Sequence, residues 1–138
     1  MEIRRDSYLN KLMDRMGNGL VKIITGVRRC GKTWLLLRLF RRHLAQAGIK
    51  DDHVIAVMLD DLENAKLRDP NAMLRHIKDC IADGETYYVL LDEVQLLRQF
   101  EEVLNSLLHV DNVDIYVTGS NSRFLSSDVI TEFRGRGD

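Results

Sequence analysis

Residues 26–33 read Gly-Val-Arg-Arg-Cys-Gly-Lys-Thr, a complete G-x-x-x-x-G-K-[ST] spacing whose residue types suit one task, wrapping a phosphate. Glycines at 26 and 31 permit backbone angles and a close approach that a Cβ would forbid. Such a loop turns its N–H groups towards the α/β-phosphates of a nucleotide at the start of the following helix. Gly26, Val27, Arg28, Arg29, Cys30, Gly31, Lys32, Thr33 and Trp34 are therefore the candidate nucleotide-binding residues. Lys32 is placed to reach the β/γ-phosphates, and the Thr33 hydroxyl to hold Mg²⁺. The plainer reading is an ordinary glycine-containing turn between a strand and a helix. The flanks weigh against it. Val21-Lys22-Ile23-Ile24-Thr25 upstream is a β-branched run, and Trp34-Leu35-Leu36-Leu37-Arg38-Leu39-Phe40 downstream opens a helix.

A second stretch supplies the groups that phosphoryl transfer also needs. Tyr87-Tyr88-Val89-Leu90-Leu91 is apolar and stops in Asp92-Glu93, as a buried parallel strand ending at a polar site would. Asp92 is the natural carboxylate to position Mg²⁺ between phosphate oxygens. Glu93 is the candidate to polarise a water aimed at the γ-phosphorus. Acids also commonly open loops or cap helices. Their place one further strand after the phosphate loop favours the catalytic reading.

The elements that must hold these residues alternate. A short helix is expected over 7–16, broken at Gly17-Asn18-Gly19. Strand one is 21–25, followed by the loop and a helix to about Ala47, stopped by Gly48. Strand two is 53–59, ending in Asp60-Asp61. Pro70 suits the first turn of a helix reaching about Ala82. Strand three is 86–91. Leu96, Leu97, Phe100, Val103, Leu104, Leu107 and Leu108 repeat with helical period, and strand four is 114–118, running into Gly119-Ser120-Asn121. Alternation of this kind predicts an α/β fold, a parallel sheet with helices on both faces and right-handed crossovers. Ligands bind such sheets at the carboxyl ends of the strands. Each candidate group follows a strand end.

At 138 residues the chain has room for one core. Lys plus Arg is 20 against 21 for Asp plus Glu, so the whole chain carries no polyelectrolyte signature. No apolar stretch approaches membrane-spanning length and no signal core opens the chain, so no membrane partner is expected and the cytoplasm is the expected location. Cys30 and Cys80 indicate neither a disulfide framework nor a metal site.

Four segments occur in a telling order: Ile24 to Thr33, then Leu91-Asp92-Glu93-Val94-Gln95, then Val117-Thr118-Gly119-Ser120-Asn121-Ser122, then Phe133-Arg134-Gly135-Arg136. Together they resemble the nucleotide-binding domain of a prokaryotic family of AAA+-like P-loop ATPases. The resemblance implies a three-layer P-loop NTPase sandwich with strand order 5-1-4-3-2. It implies ATP and Mg²⁺ as cofactors, ATP hydrolysis, and a longer protein with winged-helix and restriction-nuclease-like regions after the ATPase. On that comparison residues 1–138 are a single P-loop ATPase core, an N-terminal fragment without strand five, lid or C-terminal domains. Ser120 and Asn121 match the sensor position, where a polar side chain touches the γ-phosphate or the attacking water; the alternative is a Gly/Asn/Ser turn capping the next helix. Arg123, Arg134 and Arg136 are candidates for a charge-stabilising arginine or are solvated surface residues.

Other residues take plainer roles. His43, His53, His76 and His109 lack metal spacing and read as surface or cap residues. Asp60 and Asp61 read as loop or capping acids rather than metal ligands, and Trp34, though beside the loop, as core rather than a stacking platform. A GTPase would want an Asn-Lys-x-Asp motif late in the chain; Asn10-Lys11 precedes the loop and continues as Leu12-Met13. The leading expectation is the ATP-binding module of a Mg²⁺-dependent ATPase, with catalytic Lys32, Glu93 and Asn121, that hydrolyses ATP in the intact protein; whether residues 1–138 turn over by themselves is left open. The alternative is a nucleotide-operated switch for a DNA or protein partner, with little hydrolysis. With strand five missing, strand one would be an open edge defended only by Lys22, prone to self-association unless another segment such as residues 1–16 shields it.

Overall fold

The computed structural model describes residues 9–10, 12–25, 33, 35–119 and 130–133. Residues 9–10 and 12–14 are helical, and the chain then enters strand β1, Val21–Thr25. A π-helical stretch, Leu35–Phe40, runs directly into helix α1, Arg41–Gln46. Strand β2 is Val54–Met58, and a 3₁₀ segment, Leu62–Arg68, leads to helix α2, Pro70–Cys80. Strand β3, Tyr87–Asp92, is followed by a 3₁₀ turn, Val94–Leu96, and helix α3, Phe100–Leu108. Strands β4, Val113–Gly119, and β5, Ile130–Phe133, complete the described elements.

Local chemistry explains the boundaries. Gly48 adopts a φ of +93° just past α1, the left-handed conformation that ends helices and that glycine takes without steric cost. Asp69 caps α2: its side chain accepts the Ala72 N–H at 2.9 Å, and Pro70 occupies the first turn, where no N–H is needed. Asp61 acts likewise on the 3₁₀ segment, accepting the Glu63 N–H. The capping role read for Asp61 is thus the observed one.

The sheet order is β2-β3-β4-β1-β5. The first four strands are parallel, and the order is that of a P-loop NTPase sandwich. Successive strand residues point to opposite faces. Ile23, Leu91 and Val117 pack into one core with Met73, Ile77, Phe100 and Leu104. Ile24, Leu90 and Tyr116, one residue along in each strand, pack into the other with Leu12, Leu35, Phe40 and Leu44. Both faces are therefore apolar, which accounts for the apolar runs 87–91 of β3 and 115–117 of β4.

Two expectations about β1 are corrected. The position beside β1 is not open: Ile130–Phe133 pairs antiparallel with β1, in the register Val21↔Phe133 to Ile24↔Ile130. The physical reason is the edge itself, whose N–H and C=O groups are satisfied by a β-prone segment of the same chain. The strand-one edge is thus covered by this segment, and the open-edge argument for self-association falls away. Nor does Lys22 guard an edge. It is 0% exposed, its Nζ 2.7 Å from Asp114 Oδ1, 2.7 Å from the Leu20 carbonyl and 3.2 Å from Asn18 Oδ1. Asp114 Oδ2 in turn accepts from Tyr116 Oη at 2.6 Å and from the Gly17 N–H at 2.8 Å, tying the chain before β1 to β4. Burial, then the Asp114 charge, drives the Tyr116 phenol pKa far up, so it serves as a donor throughout.

His53 is likewise not a surface residue. It is 7% exposed, stacked on Tyr87 with ring centroids 4.4 Å apart, with Nδ1 2.7 Å from Asp52 and Nε2 3.0 Å from Asp83. Desolvation opposes protonation of the ring, but the bonds and charges of Asp52 and Asp83 together outweigh it and raise the pKa above 6.5. A raised folded-state pKa contributes stability that is fully present below the unfolded value and lost as pH rises through the folded one. The expected result is a urea midpoint advantage of the wild type over His53→Gln that is largest near pH 6 and shrinks towards pH 8.5. A difference independent of pH would contradict this.

Candidate functional site

The parallel strands bring their carboxyl ends to one side of the sheet. Thr25 pairs with Gly119, Leu91 with Val117 and Met58 with Asp92. The segments that leave β1, β3 and β4 therefore start from one edge, the position where ligands bind in sheets of this kind.

At that edge, residues distant in sequence meet. Thr33 Oγ1 lies 3.0 Å from Asp92 Oδ1 and 3.2 Å from Oδ2, a contact between residues 59 apart in the chain. Asp92 is 1% exposed. Thr118, on β4 and 0% exposed, donates its hydroxyl to Asp92 Oδ1 at 2.6 Å and accepts the Glu93 N–H at 2.9 Å. Glu93 has φ +57° and ψ +54°, left-handed values that cost a non-glycine residue about 1–3 kcal/mol and persist where surroundings over-determine them. Its carboxylate accepts from Gln95 Nε2 at 2.8 Å.

Burial raises the Asp92 pKa, the hydroxyls of Thr118 and Thr33 lower it, and the charges of Glu93 and Asp60 raise it again, for a net upward shift. Among the described residues Asp92 has hydroxyl partners and no cationic side chain beside it. A buried carboxylate with acidic neighbours and a hydroxyl at 3 Å is an all-oxygen donor set. That fits Mg²⁺, which binds through one or two protein oxygens and completes its shell with water and phosphate.

The structure thus brings together Thr33, Asp92 and Glu93. Gly26 to Lys32, Trp34, Ser120, Asn121, Arg123, Arg134 and Arg136 lie outside the described residues. Asp60 contributes charge near Asp92, while Asp61 is occupied as a cap. Thr118 and Gln95 were not picked out as site residues. The available signal for Thr118 was a hydroxyl at the carboxyl end of a strand, directly after the apolar run 115–117, the position that parallel sheets turn towards ligands.

Residues 18–138 match the family model described as an AAA domain. The chain belongs to the AAA domain family. At the level of that family it is an ATPase-type, nucleotide-binding P-loop module. It is similar to an uncharacterized protein of Haemophilus influenzae, 32% identical over 135 residues, or 97% of this chain and 34% of that protein. It also resembles two uncharacterized proteins of Methanocaldococcus jannaschii. One is 32% identical over 117 residues, covering 84% of this chain and 24% of its own length; the other is 31% identical over 102 residues, covering 72% and 21%. The chain therefore spans about a third or less of the length of these curated relatives. No solved structure matches it. Among the described residues, no helix of this AAA domain is long and apolar enough to cross a membrane.

Proposed function

We propose that this AAA domain binds ATP with Mg²⁺ and hydrolyses it. The observation that carries the reading is the meeting of Thr33, the last residue of the phosphate-loop motif, with Asp92 at 3.0 Å, the Glu93 backbone held beside them by Thr118. Thr33 and Asp92 are the residues that would hold Mg²⁺. Bound there, Mg²⁺ would supply charge neutralisation to the phosphates. Lys32 pairs with the phosphates, the backbone of Gly26 to Trp34 cradles them, and Glu93 takes the proton of the attacking water. Ser120 and Asn121 lie next in the chain after Gly119, which pairs with Thr25 at the head of the loop, and act as sensors of the γ-phosphate. Glu93 beside Asp92 favours water over another acceptor.

The hydrogen bond from Gln95 to the Glu93 carboxylate favours a second reading. A base already engaged by a neutral donor suits a nucleotide-operated switch, in which ATP holds one shape for a DNA or protein partner and hydrolysis is slow. Phosphate release measured beside nucleotide affinity separates the two.

The direct test of the site is Lys32→Ala. Calorimetry is expected to show tight Mg-ATP binding abolished, because a charge pairing with phosphate is lost. Thermal unfolding without ligand is expected to be unchanged, since the role proposed for Lys32 is exerted on bound phosphate alone. Equal affinity in the two proteins would sink the assignment.

A further inference from the structure

We infer that Thr118 is the positioning residue of this site, one buried hydroxyl on β4 that aligns both the Asp92 carboxylate and the backbone of Glu93. This rests on the ATP-hydrolysing reading above for its catalytic consequence, but its geometry does not. A threonine hydroxyl has a single proton to donate and lone pairs with which to accept. The Glu93 N–H can only donate, so at 2.9 Å the Thr118 oxygen must be the acceptor. Its proton is then left for Asp92 Oδ1, at 2.6 Å the shorter of the two hydroxyl contacts to that oxygen.

The two hydroxyls on Asp92 therefore differ in kind. Thr33 is partly exposed, and its contact is longer and divided between both carboxylate oxygens. Donating its proton to Asp92, it keeps lone pairs with which its oxygen could face a cation. Thr118 is fully buried within a strand, where a β-branched side chain has restricted χ1, and both sides of its hydroxyl are engaged. Oδ1 is thereby pinned by Thr118 at 2.6 Å, while Oδ2, bonded by Thr33 at 3.2 Å, has no bond from Thr118.

The same hydroxyl acts on Glu93. Its left-handed φ of +57° sets the direction in which the side chain leaves the backbone, and the bond from its N–H to Thr118 opposes relaxation of that angle. Gln95 holds the other end at the carboxylate. A misplacement of about 1 Å in a reacting group can cost roughly 10²-fold in rate. Removing the Thr118 hydroxyl is the smallest change that loosens the backbone anchor of Glu93 and the Asp92 rotamer together.

Thr118→Val keeps the shape and removes the hydroxyl, Thr118→Ala removes it without relying on the valine packing, and Thr118→Ser keeps it. Amide hydrogen exchange in nucleotide-free protein is the readout that does not depend on activity. The Glu93 amide is expected to exchange about tenfold or more faster in the valine and alanine variants, the scale of one lost hydrogen bond of ~1.4 kcal/mol. The serine variant is expected to stay near wild type, and the Leu90 and Leu91 amides to be unchanged in all three. In hydrolysis assays, kcat is expected to fall roughly 10²-fold in the hydroxyl-free variants, with ATP affinity in EDTA unchanged and serine restoring most of the rate. Wild-type exchange at Glu93 in the valine and alanine variants, or serine as impaired as valine, would overturn the inference. Wild-type protein that neither binds nor hydrolyses ATP would defeat the ATPase reading instead, and Glu93 exchange would still decide whether Thr118 holds that backbone.

Discussion

Glu93→Gln is expected to leave ATP affinity within a few-fold of wild type while hydrolysis falls by roughly 10² to 10⁴, the usual cost of losing a general base. The substitution isolates basicity. An amide is the same size as the carboxylate, and its oxygen can still accept from Gln95 Nε2, which lies 2.8 Å from Glu93 Oε1. The backbone bond from residue 93 to Thr118 does not involve the side chain, so the left-handed turn is retained. What is lost is the capacity to take a proton from water. Single-turnover phosphate release and an equilibrium nucleotide titration, run on both proteins, check the two halves separately. Turnover surviving within a few-fold would mean that another group activates the water. Asp60, whose charge already acts on Asp92, would be tested next. A fall in affinity that matches the fall in rate would instead point to a binding role for Glu93.

Lys22→Met is expected to cost about 3–5 kcal/mol of folding stability, the range for breaking a buried ion pair by removing one partner. That is a large share of the ~5–15 kcal/mol available to a typical domain. The Lys22 ammonium is fully enclosed, bonded to Asp114 at 2.7 Å and set over the Tyr116 ring at 4.6 Å. Methionine fills the stem's volume but leaves the Asp114 carboxylate charged and buried. The Tyr116 hydroxyl and the Gly17 N–H still donate to it, which places the expected loss towards the lower end. Adding Asp114→Asn removes the uncompensated charge, so the double variant is expected to recover much of the loss. Urea unfolding with unchanged m-values measures both steps. A Lys22→Met loss below about 1 kcal/mol would place the pair among exposed surface bridges, which contribute at most that much.

The candidate site residues could be named from the sequence because their signals are local. The phosphate-loop spacing lies within residues 26–33, and the acids that close β3 lie within Asp92-Glu93. Strand and helix alternation follows from period, so the parallel sheet and its layers were legible too. Element ends were less so. The helix expected from Leu96 begins at Phe100, because Val94–Leu96 forms a separate 3₁₀ turn and Gln99 takes a φ of +54°. Neither deviation has a composition signal, since left-handed angles at glutamate and glutamine come from what surrounds them.

What the sequence by itself determined is the set of groups and the order of the elements that carry them. Only the tertiary structure decided which partners those groups meet. Lys22 reads as an edge charge in isolation, yet its destination is Asp114, 92 residues away. His53 reads as a surface residue until Asp83, 30 residues on, meets its Nε2 and Tyr87 stacks on its ring. The edge of β1 reads as open until Ile130–Phe133 covers it. Thr118 reads as one more β-branched strand residue until β3 lies beside β4 and puts Asp92 and Glu93 within reach of its hydroxyl. In each case the deciding quantity is desolvation. A buried charge, N–H or hydroxyl must find a partner, and the partner it finds is set by sheet register, which local residue pattern leaves open.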